Sequence, residues 1–374
     1  MNILFLVFHG FNPANGISKK ISYQIDALRE LGHEVHLCHF SSDENGYKTR
    51  WVDDMPIRKY GNGLKGKILK RIEFDSIAQY AIQNRIEFVY MRSDHNANPF
   101  TIRMARKMKE ANIRIVMEIP TYPYDHEDNI PLKNMELLID KCFRRQLAKQ
   151  LHRIVTFTEY EQIFGIDTIR ISNGIDFSRI KLKQHRNDTI HELHLIGVAE
   201  IHLYHGFDRL ILGLLNYYEN DPEYKVYFHL VGDFFGQQEE NSILPLLRHD
   251  TRLSQYVILH GAKHGEELDA LFENADMGIG SLARHRSKIT RIKTLKNREY
   301  AARGLPFIYS EIDNDFEDKP YILKVSADET PIDIPRIISF YKQQKYSPEE
   351  IRHSIQDLSW KTQMERVLKA IDLL

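Results

Sequence analysis

At 374 residues the chain exceeds what one hydrophobic core usually supports, so two domains are expected. Hydrophobic residues at 42% and charged residues at 28% describe an ordinary globular protein and leave little room for a long disordered tract. A formal charge of −1 excludes a general nucleic-acid binder, because counterion release needs an extended basic surface.

The balance is locally uneven: residues 1–180 sum to +4 and the remainder to −5, with basic clusters at 65–71 and 141–149. Such clusters read either as solvated helix faces or as contacts for anionic lipid head groups or a phosphorylated acceptor. Residues 1–8 are apolar but lack a basic start and a cleavage site, and Gly10 breaks the run well short of a membrane span. A first buried strand is the reading. With no stretch elsewhere long and apolar enough to cross a bilayer, only peripheral attachment stays open. Cys38 and Cys142 form neither a disulfide framework nor a metal-knuckle spacing and, without an export signal, fit a reducing cytoplasm.

In chain order, a strand at 3–8, a loop at 10–18 and a helix at 21–31 capped by Gly32 open a strand–helix series. Strands follow at 34–40, 88–91, 114–119 and 154–158, with helices at 99–111 and 131–151. A second series runs through strands at 193–198, 225–231, 257–260, 277–280 and 306–309 and helices at 207–218, 265–274 and 295–302. Alternation of this kind predicts an α/β fold with two Rossmann-like, doubly wound sheets joined in the polar stretch 176–192. A ligand is expected in a central cleft where strand ends of the two domains face each other.

The segments that carry chemistry lie at those strand ends. Residues 12–18, N-P-A-N-G-I-S, separate the first strand from the first helix, so amides near Gly16 suit a phosphate or a sugar hydroxyl, or make an ordinary turn. Residues 293–309, K-T-L-K-N-R-E-Y-A-A-R-G-L-P-F-I-Y, form a helix that opens on a crevice and turns through G-L-P into a buried strand. The E-Y-A-A-R-G-L-P-F-I run resembles the donor-binding element of retaining glycosyltransferase family four. G-H-E-V-H after the first helix, S-N-G-I-D at 172–176, L-V-G-D at 230–233 and H-G-A-K at 260–263 resemble the same family in the same order.

The resemblance implies the GT-B fold, with an acceptor-side domain over 1–178, a nucleotide-sugar domain over 190–358, and a last helix, 360–374, that starts at Trp360 and returns to the first domain. It implies transfer of a sugar, with retention, from a nucleotide diphosphate donor to a glycan or lipid-linked acceptor, commonly in polysaccharide synthesis. No cofactor and no metal are expected, since the nucleotide sugar is a substrate. Glu299 is then the ribose ligand, amides at Thr294 and Leu295 meet the diphosphate, and the backbone of Gly261, Ala262 and Lys263 lies beside the base. Three positions depart from the family's pattern: Arg291 stands where its first Glu belongs, and Glu200 and His205 replace two cations, with His205 still expected among the donor-binding residues. Lys288, Arg291, Lys293, Lys296 and Arg298 are expected to supply the missing charge around the diphosphate.

In the first domain, M-E-I-P-T-Y-P-Y-D-H-E at 117–127 follows a strand. Glu118 and Asp125 are the candidates for acceptor orientation or proton handling, with Arg92, Tyr122 and His126 on the acceptor side. Asp313-Asn-Asp315 is read as a turn. Two other functions fit the same sequence: a nucleotide-sugar epimerase or hydrolase, and a noncatalytic sugar-nucleotide-binding partner subunit.

Overall fold

A computed structural model describes residues 1–11, 16–124, 131–184, 191–250 and 252–373. Contacts divide the chain into one unit of Met1–Ser172 with Trp360–Leu374 and another of Asn173–Ser359. Asn173 and Ile175 are drawn into the second unit: the Asn173 amide donates to the Lys293 carbonyl at 2.6 Å, and Ile175 pairs with Ser359.

The first unit begins with β1 (Asn2–Gly10), α1 (Gly16–Glu30), β2 (Glu34–Ser42), β3 (Lys48–Val52) and β4 (Met55–Gly61). It continues with α2 (Gly63–Ile72), α3 (Asp75–Gln83), β5 (Phe88–Arg92), α4 (Pro99–Glu110), β6 (Arg114–Ile119) and α5 (Pro131–Ala148). The strands β7 (Arg153–Thr156), β8 (Gln162–Ile163) and β9 (Ile166–Arg170) complete it. Among the described residues the sheet order is β4-β3-β2-β1-β5-β6-β7-β9-β8. The centre is parallel, and both faces of β1 are covered: Leu4, Leu6 and Phe8 enter one core, Ile3, Phe5 and Val7 the other. That is why this strand is apolar at every position rather than at alternate ones. The β2-β3-β4 edge is an antiparallel meander that the strand–helix alternation does not predict, since K-T-R-W-V and M-P-I-R-K-Y-G are too polar to read as buried strands.

In the second unit β10 (Glu192–Val198), α6 (Phe207–Tyr218), β11 (Lys225–Val231), α7 (Gln237–His249), β12 (Val257–Gly261) and α8 (Gly265–Asn274) come first. Then follow β13 (Met277–Ile279), α9 (Leu295–Arg303), β14 (Phe307–Tyr309), β15 (Ile322–Lys324), α10 (Ile334–Gln343) and α11 (Pro348–His353). The described sheet is parallel throughout, in the order β12-β11-β10-β13-β14-β15. Strand order reverses beside β10, and in a parallel sheet the crevice at such a switch point lies over the carboxyl ends of the strands. The last helix, α12 (Trp360–Lys369), belongs to the first unit, where Trp360, Met364, Val367 and Leu368 pack with Ile21, Ile25 and Leu28 of α1.

Candidate functional site

Loops at the carboxyl ends of β10, β13 and β14 meet above the second sheet. Gly206 holds the first of them in place: its φ is +65°, and a Cβ there would stand 2.7 Å from the Ala283 Cβ. Leu282 N donates to the His205 carbonyl at 2.8 Å, and Ala283 N to the Tyr204 carbonyl at 3.2 Å. The Arg286 guanidinium then grips Asp208 at 2.9 and 2.8 Å and the Leu203 carbonyl at 2.9 Å. So anchored, the loop lays Arg284 over the Tyr204 ring at 4.0 Å.

Around Arg284 lies a group of buried polar atoms that have no hydrogen-bond partner among the described residues: Arg284 Nε, Lys296 Nζ, Asn297 Oδ1, Glu311 Oε2 and Ser281 Oγ. Lys296 leaves part of its stem in solvent but encloses its ammonium. Burial, with the neighbouring Arg284 charge adding to it and Glu311 opposing it, pushes this lysine down to about 7. Burial lifts the Glu311 carboxyl to about 6, against the pull of Arg284 and Lys296. Asn297 Nδ2 donates to Glu311 Oε1 at 3.3 Å and so fixes that carboxylate. Natural interiors rarely leave several polar groups unsatisfied at one point unless a polar ligand completes them. The helix α9 begins here as well. Thr294 caps it by accepting from Asn297 N at 3.4 Å, and the Leu295 and Lys296 amides at its positive end have no carbonyl within the helix to meet. Two cations, free amides and a helix dipole make an anion site.

The expected donor residues divide. Thr294, Leu295 and Lys296 stand at that site. Glu299 follows on α9, and both of its bonds from Arg303, at 3.0 and 2.9 Å, fall on Oε1. At the end of β12, Gly261 has φ +65° and its carbonyl takes the Gly232 amide at 2.8 Å; Ala262 is exposed, and Lys263 reaches back to Glu267 at 2.9 Å. Arg298 corrects the expectation. Its guanidinium is wholly buried and bound to Asp313 at 2.7 and 3.1 Å, to Asp315, to the Thr294 carbonyl at 2.8 Å and to the Asn173 carbonyl at 2.9 Å. Asp313 and Asp315 are therefore the counterions of Arg298, and this arginine braces α9 rather than facing a ligand. His205 is corrected too. It is buried, and burial, helped by the Lys296 and Arg284 charges, holds it well below the usual histidine range, so it stays neutral. Its Nδ1 accepts the His202 amide at 3.0 Å. Arg291 is exposed and donates to Asn314 Oδ1 at 2.5 Å, while Lys293 pairs with Asp315 at 3.7 Å and Lys288 lies in solvent.

In the first unit Glu118 is fully buried at the end of β6. Oε2 accepts from Gln24 at 2.7 Å and Tyr90 at 2.6 Å, and Oε1 faces Arg92 and, at 3.5 Å, Lys20. Burial alone would raise this carboxyl, but the Lys20 and Arg92 charges and the two hydrogen bonds overcome it and hold it at about 2. A carboxylate this stable is a poor proton acceptor at neutral pH, so Glu118 is a structural anchor and not a base. Arg92 is buried as its counterion, and Lys20 also lies over the Phe157 and Trp360 rings at 3.6 and 5.5 Å. Tyr122 sits edge-on to Tyr160 at 4.9 Å. Gly16 opens α1 in an exposed position with nothing within 4 Å of a Cβ. Asp125 and His126 lie outside the described residues.

Sequence reasoning passed over Arg284, Glu311 and Ser281. The signal was available in outline: each stands within a few residues of the carboxyl end of β13 or β14, where a parallel sheet collects its ligand contacts.

Two α/β units, each with a sheet whose central strands are parallel, match the GT-B architecture. Solved structures share it along the whole chain. A glycosyltransferase from Rickettsia africae ESF-5 is similar at 14% identity, with a TM-score of 0.65 over 99% of this chain and 97% of that one. HepE of Anabaena in complex with UDP is similar at 13% identity, with a TM-score of 0.63 over 100% of both chains. A structure described as trehalose-6-phosphate from E. coli bound with UDP-2-fluoro glucose gives 12% identity and a TM-score of 0.61 over 100% of this chain and 99% of that one. No protein-family model and no curated protein matches the sequence.

Proposed function

We propose that this chain is a retaining, metal-independent glycosyltransferase of the hexosyltransferase type, with a UDP-sugar as donor and a glycan or lipid-linked acceptor. Its setting is cell-surface polysaccharide synthesis, in the cytoplasm with peripheral membrane contact. The observation that carries the reading is the anion site of Lys296, Arg284 and the α9 N-terminus at the strand ends of a GT-B unit. The UDP and UDP-sugar of similar structures support uracil as the base.

Lys296, Arg284 and the Leu295 amide take the diphosphate, Glu299 the ribose, and the backbone of Gly261, Ala262 and Lys263 the base. Asp125, Tyr122 and His126 are assigned to the acceptor. In the transfer, the acceptor hydroxyl oxygen bonds to the anomeric carbon as that carbon's bond to the β-phosphate oxygen breaks. The electron pair stays on the phosphate oxygen, which also receives the hydroxyl proton. Positive charge fixed at Lys296 and Arg284 stabilises the leaving diphosphate, as preorganised donors do wherever charge develops in a transition state. Chelators are then expected to leave the rate unchanged; a strict requirement for Mg²⁺ or Mn²⁺ would contradict this mechanism.

Incubation with UDP-sugars and candidate acceptors, followed by NMR of the product, tests the reading. Release of UDP with an α-linked product is expected from an α-linked donor. Free sugar in place of a glycoside would indicate a hydrolase, and an altered nucleotide sugar an epimerase. The closed environment of Glu118 favours a noncatalytic binder as the second reading, which donor binding without turnover on any acceptor would select.

A further inference from the structure

Exposed apolar side chains recur on two linked helices of the first unit. On α5, Leu137, Phe143 and Leu147 pack into the core. Met135, Leu138 and Ile139 point the other way and are 59, 63 and 43% exposed. Their spacing of i, i+3 and i+4 makes a second apolar stripe that no described element covers. A core helix needs only one such stripe.

The neighbouring α2 repeats the pattern. Leu64 and Ile68, one turn apart, are 74 and 48% exposed, and the helix G-L-K-G-K-I-L-K-R-I contains four cations and no carboxylate. An ion pair between Arg71 and Glu136 ties α2 to α5, the helices that carry the two stripes. Lys65 and Lys67 flank the α2 stripe, and Lys141 and Arg145, both exposed, follow the α5 stripe. Lys70 is outside this face, because its ammonium lies over the Phe40 ring at 4.1 Å.

Apolar side chains bordered by more cations than carboxylates, with Glu136 already paired to Arg71, restrict what can cover them. A second copy of the same face would set cation against cation. A bilayer with anionic lipids offers negative phosphates at the surface and apolar chains just beneath, which matches both parts of the face. We propose that α2 and α5 form a docking face for an anionic lipid bilayer, with Leu64, Ile68 and Leu138 entering the head-group region and Lys65, Lys67 and Arg145 against lipid phosphates. The inference does not depend on the donor chemistry proposed above, and its test needs no turnover.

Sedimentation with vesicles of phosphatidylcholine, alone or mixed with phosphatidylglycerol, decides it. Binding is expected to the mixed vesicles and not to the neutral ones, and to fall in 0.5 M salt as screening shortens the reach of the charges to roughly 4 Å. A cation near an anionic surface contributes about fivefold in affinity. K65Q/K67Q is thus expected to weaken binding roughly 25-fold. L64S/L138S is expected to weaken it at least about tenfold through lost apolar burial, with an unchanged melting temperature because both side chains are exposed in the free protein. Vesicle binding that either double variant leaves intact would overturn the proposal, as would no binding to the mixed vesicles. So would lipid-free self-association that L64S/L138S abolishes, since the face would then serve a protein contact.

Discussion

Lys296 and Arg298 stand two positions apart on one helix and do opposite things. The lysine keeps its ammonium enclosed and without a hydrogen-bond partner among the described residues, while the arginine is held by two carboxylates and two carbonyls. Lys296→Met is expected to weaken UDP binding at least about tenfold in calorimetry, as removal of one charge-assisted contact does, with little change in stability. Arg298→Met leaves Asp313 buried without its counterion, so about 3–5 kcal/mol of stability should be lost in urea denaturation. Donor affinity should also follow pH. An anion is attracted by protonated Lys296, whose value of about 7 means that charge is gained as pH falls. Protonation of Glu311 near 6 removes a repelling carboxylate in the same direction. UDP is therefore expected to bind more tightly at pH 6.5 than at pH 8.5, and Lys296→Met to flatten the difference; an unchanged pH profile in the variant would remove Lys296 from the site. The sequence indicated both residues as basic groups at a crevice. It did not distinguish them, because Arg298 is neutralised by carboxylates 15 and 17 positions further on, in a segment that looks like a polar turn.

At the scale of elements, β1, β2, β5, β6, β7 and β10 to β14 were legible from largely apolar runs, whereas the short strands β8, β9 and β15 were not. The β3–β4 edge was not, since half-exposed strands carry polar residues that resemble loops. Pairing across strands was equally hidden. His194, His229 and His260 lie on β10, β11 and β12 and join in a ladder of ring hydrogen bonds of 3.0 Å each. When all three rings are neutral, the middle ring accepts from one neighbour and donates to the other. Burial, with the adjacent His194 and His260 adding to it, keeps His229 down at about 4. An unfolded histidine binds its proton near 6.5, so between 6.5 and about 4 the unfolded chain holds more protons and stability declines as pH falls through that window. His229→Asn should reduce that decline in chemical denaturation; an identical slope would mean the ladder does not titrate. In the first unit Glu118 acts in the same sense, in a lower pH window. Held at about 2, it contributes stability above the ordinary carboxylate range that is lost as pH falls toward 2. Glu118→Gln, which leaves Arg92 and Lys20 enclosed with less compensation, is expected to cost about 3 kcal/mol.

The molecule as a whole joins two α/β units whose chain path crosses between them at residue 172 and again at residue 360. The second crossing returns α12 to pack on α1, so removal of residues 360–374 should expose Ile21, Ile25 and Leu28 and lower the melting temperature of the first unit. The central claim lies in the second unit, where buried groups without a hydrogen-bond partner among the described residues meet a helix N-terminus at the strand ends. A thermal-shift series with UDP, GDP, ADP and CMP, run on the wild-type chain and on Lys296→Met, tests it most directly. The account predicts that UDP alone raises the melting temperature of the wild-type protein and that the variant loses most of that shift. No shift with any nucleotide, or an equal shift in the variant, would contradict it.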